Sequence, residues 1–212
     1  MTRYLDIPKP IRSGLVLVDP DRGTPQRVIV LQFNPDTLER TLAPQAAGAE
    51  QGDRTEALRL KGPAIETWKF TAELDATDQL DVAAPTGIHP QLAVLEMLVH
   101  QPSAAIRANQ RLAAAGMLEI TPVETPLTIF VWGTRRVLPV RVTELAVTEE
   151  AFDPELNPIR ATVALGLRVL SASDLPAGHR GSELYLAHLA QKERLVEGGV
   201  SGRLAQLGLP SI

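Results

Sequence analysis

The sequence predicts a mainly β protein with α elements: an antiparallel β domain of about six strands, one helical insertion and a C-terminal helix. Two observations carry this. Alternation of apolar and polar residues recurs along the chain, most completely in FDPELNPIRATVALGLRVL (152–170). There Ile159, Ala161, Val163, Leu165, Leu167 and Val169 share one face, and Arg160, Thr162, Ala164, Gly166 and Arg168 the other, as in a long strand with one buried side. Between such segments stand Pro, Gly, Asp and Asn, while helical spacing of apolar residues appears only near 89–116 and after 182. The chain therefore divides into a β domain over 1–175 and a helical extension with a tail over 176–212.

In chain order, Leu15 to Val18 and Arg27 to Phe33 flank DPDRGTP, turn chemistry throughout, and predict a hairpin that Asn34-Pro35 stops. Residues 40–63 are small, polar and weakly patterned. That length without a period predicts an arm that is mobile or ordered by a partner, with LRL (58–60) a short strand within it. Trp68, Phe70, Ala72 and Leu74 then alternate with polar residues in a half-buried strand. In GIHPQLAVLEMLVHQ, Pro90 suits a first helical turn, and Leu92, Leu95, Leu98 and Val99 form a stripe. A second helical piece follows Pro102 and ends at Gly116.

PLTIFVWG is apolar on both faces and predicts a central, doubly covered strand. In the next strand the phase slips, because Val140 and Val142 are out of register with Leu145 and Val147. A bulge near Thr143-Glu144 reconciles them. The strand after DPELNP pairs back antiparallel. In the last helix Ser182 is placed as the N-cap, Leu184, Leu189, Leu195 and Val196 near one stripe, and Gly198-Gly199 as the stop.

Composition narrows the function. Aromatic residues make up only 4% of the chain, so Leu, Val, Ile and Ala must form most of the core. A net charge of −4 argues against a general nucleic-acid binder. The absence of cysteine rules out disulfides, thiolate metal sites and cysteine catalysis. The apolar run near the N-terminus is too short for a secretion signal, and LAVLEMLV, broken by Glu96, is too short for a membrane span. A protein that folds in the cytoplasm is expected.

The search for chemistry gives no catalytic, cofactor-binding or metal residue. His89, His100, His179 and His188 form no ligand motif, and His89, before Pro90, reads as a cap or surface group. Asp75, Asp78 and Asp81 lack the spacing and glycine of a calcium loop and read as a solvated turn. Glu149, Glu150 and Asp153 are the candidate carboxylates for glycoside hydrolysis. Glu149 and Glu150 face opposite ways on a regular strand, however. Arg135-Arg136 reads as a solvated turn, with a phosphate site or an intersubunit contact as alternatives. There is no Walker A, GxGxxG or GxSxG pattern.

Five segments, taken in order, carry a family resemblance: LQFNPDTLERTL, ELDATDQLD, GIHPQLAVLEMLV, the run from PLTIFVWG to RATVALGLRVL, and HRGSELYLAHLAQKE. Over about residues 10–195 the chain resembles the N-terminal domain of contractile injection system tube proteins, the tube-like baseplate adaptors of phage-tail-like particles. Nothing after Leu175 resembles the C-terminal LysM module that many of them carry. The resemblance implies a phage tail-tube-like antiparallel β sandwich or barrel with a flanking helix. It implies a structural, non-enzymatic role in a homo-oligomeric, hexameric ring of the baseplate or inner tube. The implied partners are an inner tube protein, a spike or hub protein and other baseplate proteins, without nucleic acid or membrane insertion. The implied location is the cytoplasm, in a particle released by lysis. Two other readings compete: a baseplate-associated cell-wall hydrolase, and a stand-alone cargo- or carbohydrate-binding module. The low aromatic content speaks against the second.

Overall fold

The structure, a computed structural model, describes residues 11–46, 59–78, 86–116, 125–199, 202 and 204–207. Its strands are β1 (Gly14–Val18), β2 (Pro25–Val30), β3 (Glu39–Ala46), β4 (Leu60–Asp75), β5 (Leu127–Val131), β6 (Val137–Phe152) and β7 (Pro158–Val169). Helices α1 (His89–Glu96) and α2 (Ser103–Ala114) lie between β4 and β5, and α3 (Arg180–Glu197) follows β7. The seven strands form one antiparallel sheet in the order β2-β1-β5-β6-β7-β4-β3. The fold is mainly β with α, as expected.

The strand beyond the expected count is β3, which lies in the stretch read as an arm. Residues 40–46 pair with β4, and 60–63 belong to β4 itself. Leu58 and the rest of 47–58 lie outside the described residues. The first hairpin also differs from expectation, since β2 stops at Val30. Leu31 leaves the ladder to enter the core, and its N–H donates to the Ser13 carbonyl at 2.9 Å.

The sheet curls strongly. Strands stand about 4.8 Å apart, so β4, three places from β5, would lie roughly 14 Å away in a flat sheet. Yet the Phe70 and Phe130 rings stack at 5.3 Å, and Trp68 meets Phe130 edge-on at 5.4 Å. Gln32, just past β2, is five places from β4. Its side-chain amide nevertheless donates to the Asp75 carbonyl at 2.7 Å, and its Oε1 accepts from the Asp75 N–H at 2.9 Å. The sheet is thus rolled into a barrel whose seam is bridged by one glutamine.

The barrel interior is filled by Leu15, Trp68, Phe70, Leu74, Phe130, Leu138, Val163, Leu165 and Leu167, with Ile88, Leu92 and Leu95 from α1 and the turn before it. Four of the six Phe and Trp residues gather here, as Trp132 lies 5.9 Å from Phe130. The other two, Phe33 and Phe152, are exposed. The second face of β5 is also covered, because Leu127 and Ile129 pack with Val18 in a smaller cluster. The expected bulge is present. The β6–β7 register shifts between Val142 and Glu144, opposite Gly166. A Cβ on Gly166 would come within 2.9 Å of the Glu144 Cβ, so the bulge crowds out any side chain there.

Two expectations for α3 are corrected. Its N-cap is His179, whose Nδ1 accepts from the Gly181 N–H at 3.1 Å, while Ser182 is buried inside the helix. Its buried positions are Gly181, Ser182, Tyr185 and His188, and Leu189, Leu195 and Val196 are exposed. From the same helix Lys192 reaches a buried carboxylate, described below. In the helical insertion, α1 buries Leu92 and Leu95 and ends before Val99, which is exposed. Gly116 follows α2, as expected, and α2 buries no residue among those described.

Candidate functional site

Three motifs that are far apart in sequence meet at one end of the barrel. Phe33, of FNP, shares a cavity of about 260 Å³ with Glu73, Leu74, Asp75, Glu150, Arg160 and Thr162. The Ile88 N–H, from GIHPQL, donates to the carbonyl of Pro158, in FDPELNPIRA, at 2.9 Å. Arg160 pairs with Asp75 at 2.8 Å. Hydrogen bonds from Thr77, with Arg160 beside it, hold the Asp75 carboxyl below its ordinary range.

The β6–β7 turn is built around Asp153. Its carboxylate accepts from the N–H groups of Glu155 and Asn157 at 2.9 and 2.8 Å and from Asn157 Nδ2 at 2.8 Å. This makes an Asx-type turn. Leu156 stands there in the left-handed region, at φ 64°, and is 76% exposed. Phe152 (49% exposed) and Phe33 (39%) add apolar surface to the same end. A leucine in that conformation, held out in water, favours neither stability nor solubility in an isolated chain.

The candidate hydrolase carboxylates are not brought together in one cleft. Glu149 pairs opposite Ala161 and Glu150 opposite Arg160, on alternate sides of β6. Glu150 accepts from Thr162 Oγ1 at 3.4 Å. The Asp153 carboxyl is held low, chiefly by the Asn157 side chain, whereas an acid that donates its proton at neutral pH needs the opposite shift. His89 and His100 are exposed. Of the aspartate trio, Asp75 is ion-paired, Asp78 lies in the short turn Ala76–Asp78, and Asp81 lies outside the described residues. Among the described residues no group of three His, Asp or Glu could hold a metal ion, and no helix is long and apolar enough to cross a membrane.

A second site lies on the barrel's other end, where few sequence signals point. Glu66 of β4, whose side chain is 4% exposed, accepts from Arg40 at 2.7 Å, from Trp68 Nε1 at 2.7 Å and from Lys192 of α3 at 3.2 Å. The Arg40 guanidinium also lies over the Trp68 ring, 4.9 Å from its centroid. Burial pushes the Glu66 carboxyl up, but Arg40, Lys192 and Trp68 outweigh it and hold it below its ordinary value. Arg40, Trp68, Arg135, Arg136, His188 and Lys192 border a cavity of about 280 Å³. The arginine pair reaches it because the β5–β6 turn is tight. The Trp132 N–H donates to the Arg136 carbonyl at 2.8 Å, with Gly133 at φ 71°. Of its polar residues the sequence singles out Arg135-Arg136 as a basic turn and His188 as one of four histidines outside any ligand motif, and it gives no sign of Glu66, Arg40 or Lys192. Glu66 pairs with Lys192 across 126 positions, a separation no local pattern reports.

No protein-family model and no curated protein matches the chain. Among solved structures the chain is similar to the tail of an empty GTA particle of C6 symmetry, with 9% identity, a TM-score of 0.30, and coverage of 74% of this chain and 90% of that one.

Proposed function

We propose that this protein is a structural subunit of a phage-tail-like contractile injection particle. In this reading six copies form a ring of the baseplate or inner tube, between the spike hub and the tube. The observation that carries the reading is the barrel end where FNP, GIHPQL and FDPELNPIRA converge. The motifs that resemble the tube-adaptor family are far apart in sequence, yet together they frame one surface with exposed Phe33, Phe152 and Leu156. Such a surface suits a permanent protein contact better than a catalytic cleft.

The sheet margins support the same reading. The edge strand β2 exposes Val28 and Val30, and the β3–β4 hairpin exposes Leu42, Leu60 and Ile65. Unpaired edges bearing apolar side chains are a hazard in a monomer and a joint in an assembly. The test is to tag the protein in its native host, sediment large particles and identify what travels with it. Co-sedimentation with sheath, tube and spike proteins is expected, with loss of incorporation in a Phe152→Asp/Leu156→Asp variant that still folds. The reading is overturned if such particles sediment while this protein stays behind.

A further inference from the structure

The cavity beside Glu66 has features that the structural role does not use. Arg40, Arg135, Arg136 and Lys192 surround it, and Glu66 is the carboxylate bonded to this group, which leaves a local excess of three positive charges in a chain whose net charge is −4. Arg40 and Lys192 are tied to Glu66, but about a third of each side chain remains exposed. Arg135 and Arg136 make no ion pair among the described residues, although both sit on a tight turn that aims them at one place. His188 lines the same cavity. It is 8% exposed, and neither ring nitrogen has a hydrogen-bond partner among the described residues.

The clustered charge has a cost that one ligand class removes. Clustered cations repel one another. An oxyanion in the cavity accepts from the guanidinium forks and the ammonium and offsets their mutual repulsion, with the His188 ring close enough to report its presence. We propose that this cavity binds a phosphate group, either free or as a phosphate monoester. Phosphate is favoured over a single carboxylate for two reasons. Its two negative charges answer a threefold excess, and its tetrahedral oxygens can meet donors that come from β3, the β5–β6 turn and α3 at once.

The test uses the full chain, with ring proton and nitrogen signals of the histidines followed by NMR at constant ionic strength. Inorganic phosphate, glycerol phosphate, succinate and chloride are titrated separately. A saturable shift of the His188 signals with phosphate or the ester is expected, and chloride gives none. If the ester binds more tightly, the natural ligand is a monoester; equal binding assigns free phosphate. The Arg135→Ala/Arg136→Ala variant, altered only at exposed turn residues, keeps its melting temperature and binds about ten-fold more weakly or worse. The proposal is overturned if His188 responds no differently to phosphate than to chloride, if succinate binds as tightly as phosphate, or if the double variant binds unchanged. None of these outcomes depends on whether the chain joins a particle.

Discussion

Gln32 and Asp75 hold each other as two strand residues would, although no ladder joins their strands. The glutamine amide presents one donor and one acceptor to one backbone carbonyl and one N–H, at 2.7 and 2.9 Å. A side chain has taken the place of a neighbouring strand at the seam of the barrel. Replacing Gln32 by Ala leaves both groups of Asp75 to partial hydration and is expected to cost about 1–3 kcal/mol. Gln32→Glu keeps the acceptor, loses the donor and sets a carboxylate against a carbonyl, so it is expected to cost at least as much. Urea unfolding of the two variants decides. Unchanged midpoints would show that the seam closes without this bond.

Glu66 serves three donors from one buried position. Glu66→Gln leaves Arg40 and Lys192 without their counter-charge and is expected to cost about 3 kcal/mol at pH 7, the low end for a broken buried pair, because both cations keep some water. The folded-state carboxyl lies below the ordinary 4.5, so its contribution is complete above that pH and fades as pH falls through the folded value. The stability gap between wild type and Glu66→Gln should therefore narrow in acid. Denaturant curves at neutral pH and below pH 4 measure it, and a constant gap would mean that the carboxylate gains nothing from its partners.

His188 predicts a slope in a different window. Burial lowers its pKa first, and Lys192 adds to the effect, against a raising pull from Glu66. Below the ordinary 6.5 the unfolded chain takes up a proton that the folded chain resists, so stability falls as pH drops through that range. In phosphate-free buffer, His188→Leu is expected to be stabilised by about 1 kcal/mol at pH 7.5, and by more at pH 5.5. Equal gains at both pH values would show that the folded protein charges this ring freely.

Leu156 is a position where stability and assembly diverge. Asparagine tolerates the left-handed conformation better than leucine, so Leu156→Asn is expected to raise the stability of the isolated protein by a few tenths to about 1 kcal/mol. The same change removes the most exposed apolar side chain of the motif end, and incorporation into particles should fall. Thermal melts and sedimentation of the tagged protein read the two effects separately. A variant that melts lower than wild type would mean that Leu156 makes a stabilising contact within the chain.

The elements with a buried side were legible in the sequence. The β7 alternation holds from Ala161 to Val169, and the slipped phase in β6 fixed its bulge, because a period of two can change sides only by an extra residue. β3 was not legible, since nearly all of Glu39–Ala46 is exposed and a strand without a buried face has no period. The α3 stripe was misread because hydropathy selects Leu189, Leu195 and Val196, whereas the helix packs with Tyr185 and His188 inward and Lys192 against Glu66. The motif end was legible only as fragments. The Ile88–Pro158 and Arg160–Asp75 bonds that gather those fragments join residues 70 and 85 positions apart.

The stacking of Phe70, Phe130 and Trp68 inside the curl makes the barrel solid, as in small barrels whose side chains fill the interior. Nothing threads a body of this kind. In the ring proposed above, a conduit would run between copies, and its lining would come from residues that face away from the core. On β4, β6 and β7 these include Lys69, Thr71, Glu73, Glu144, Ala146, Thr148, Arg160 and Ala164. Small side chains and charges of both signs would keep such a wall wetted.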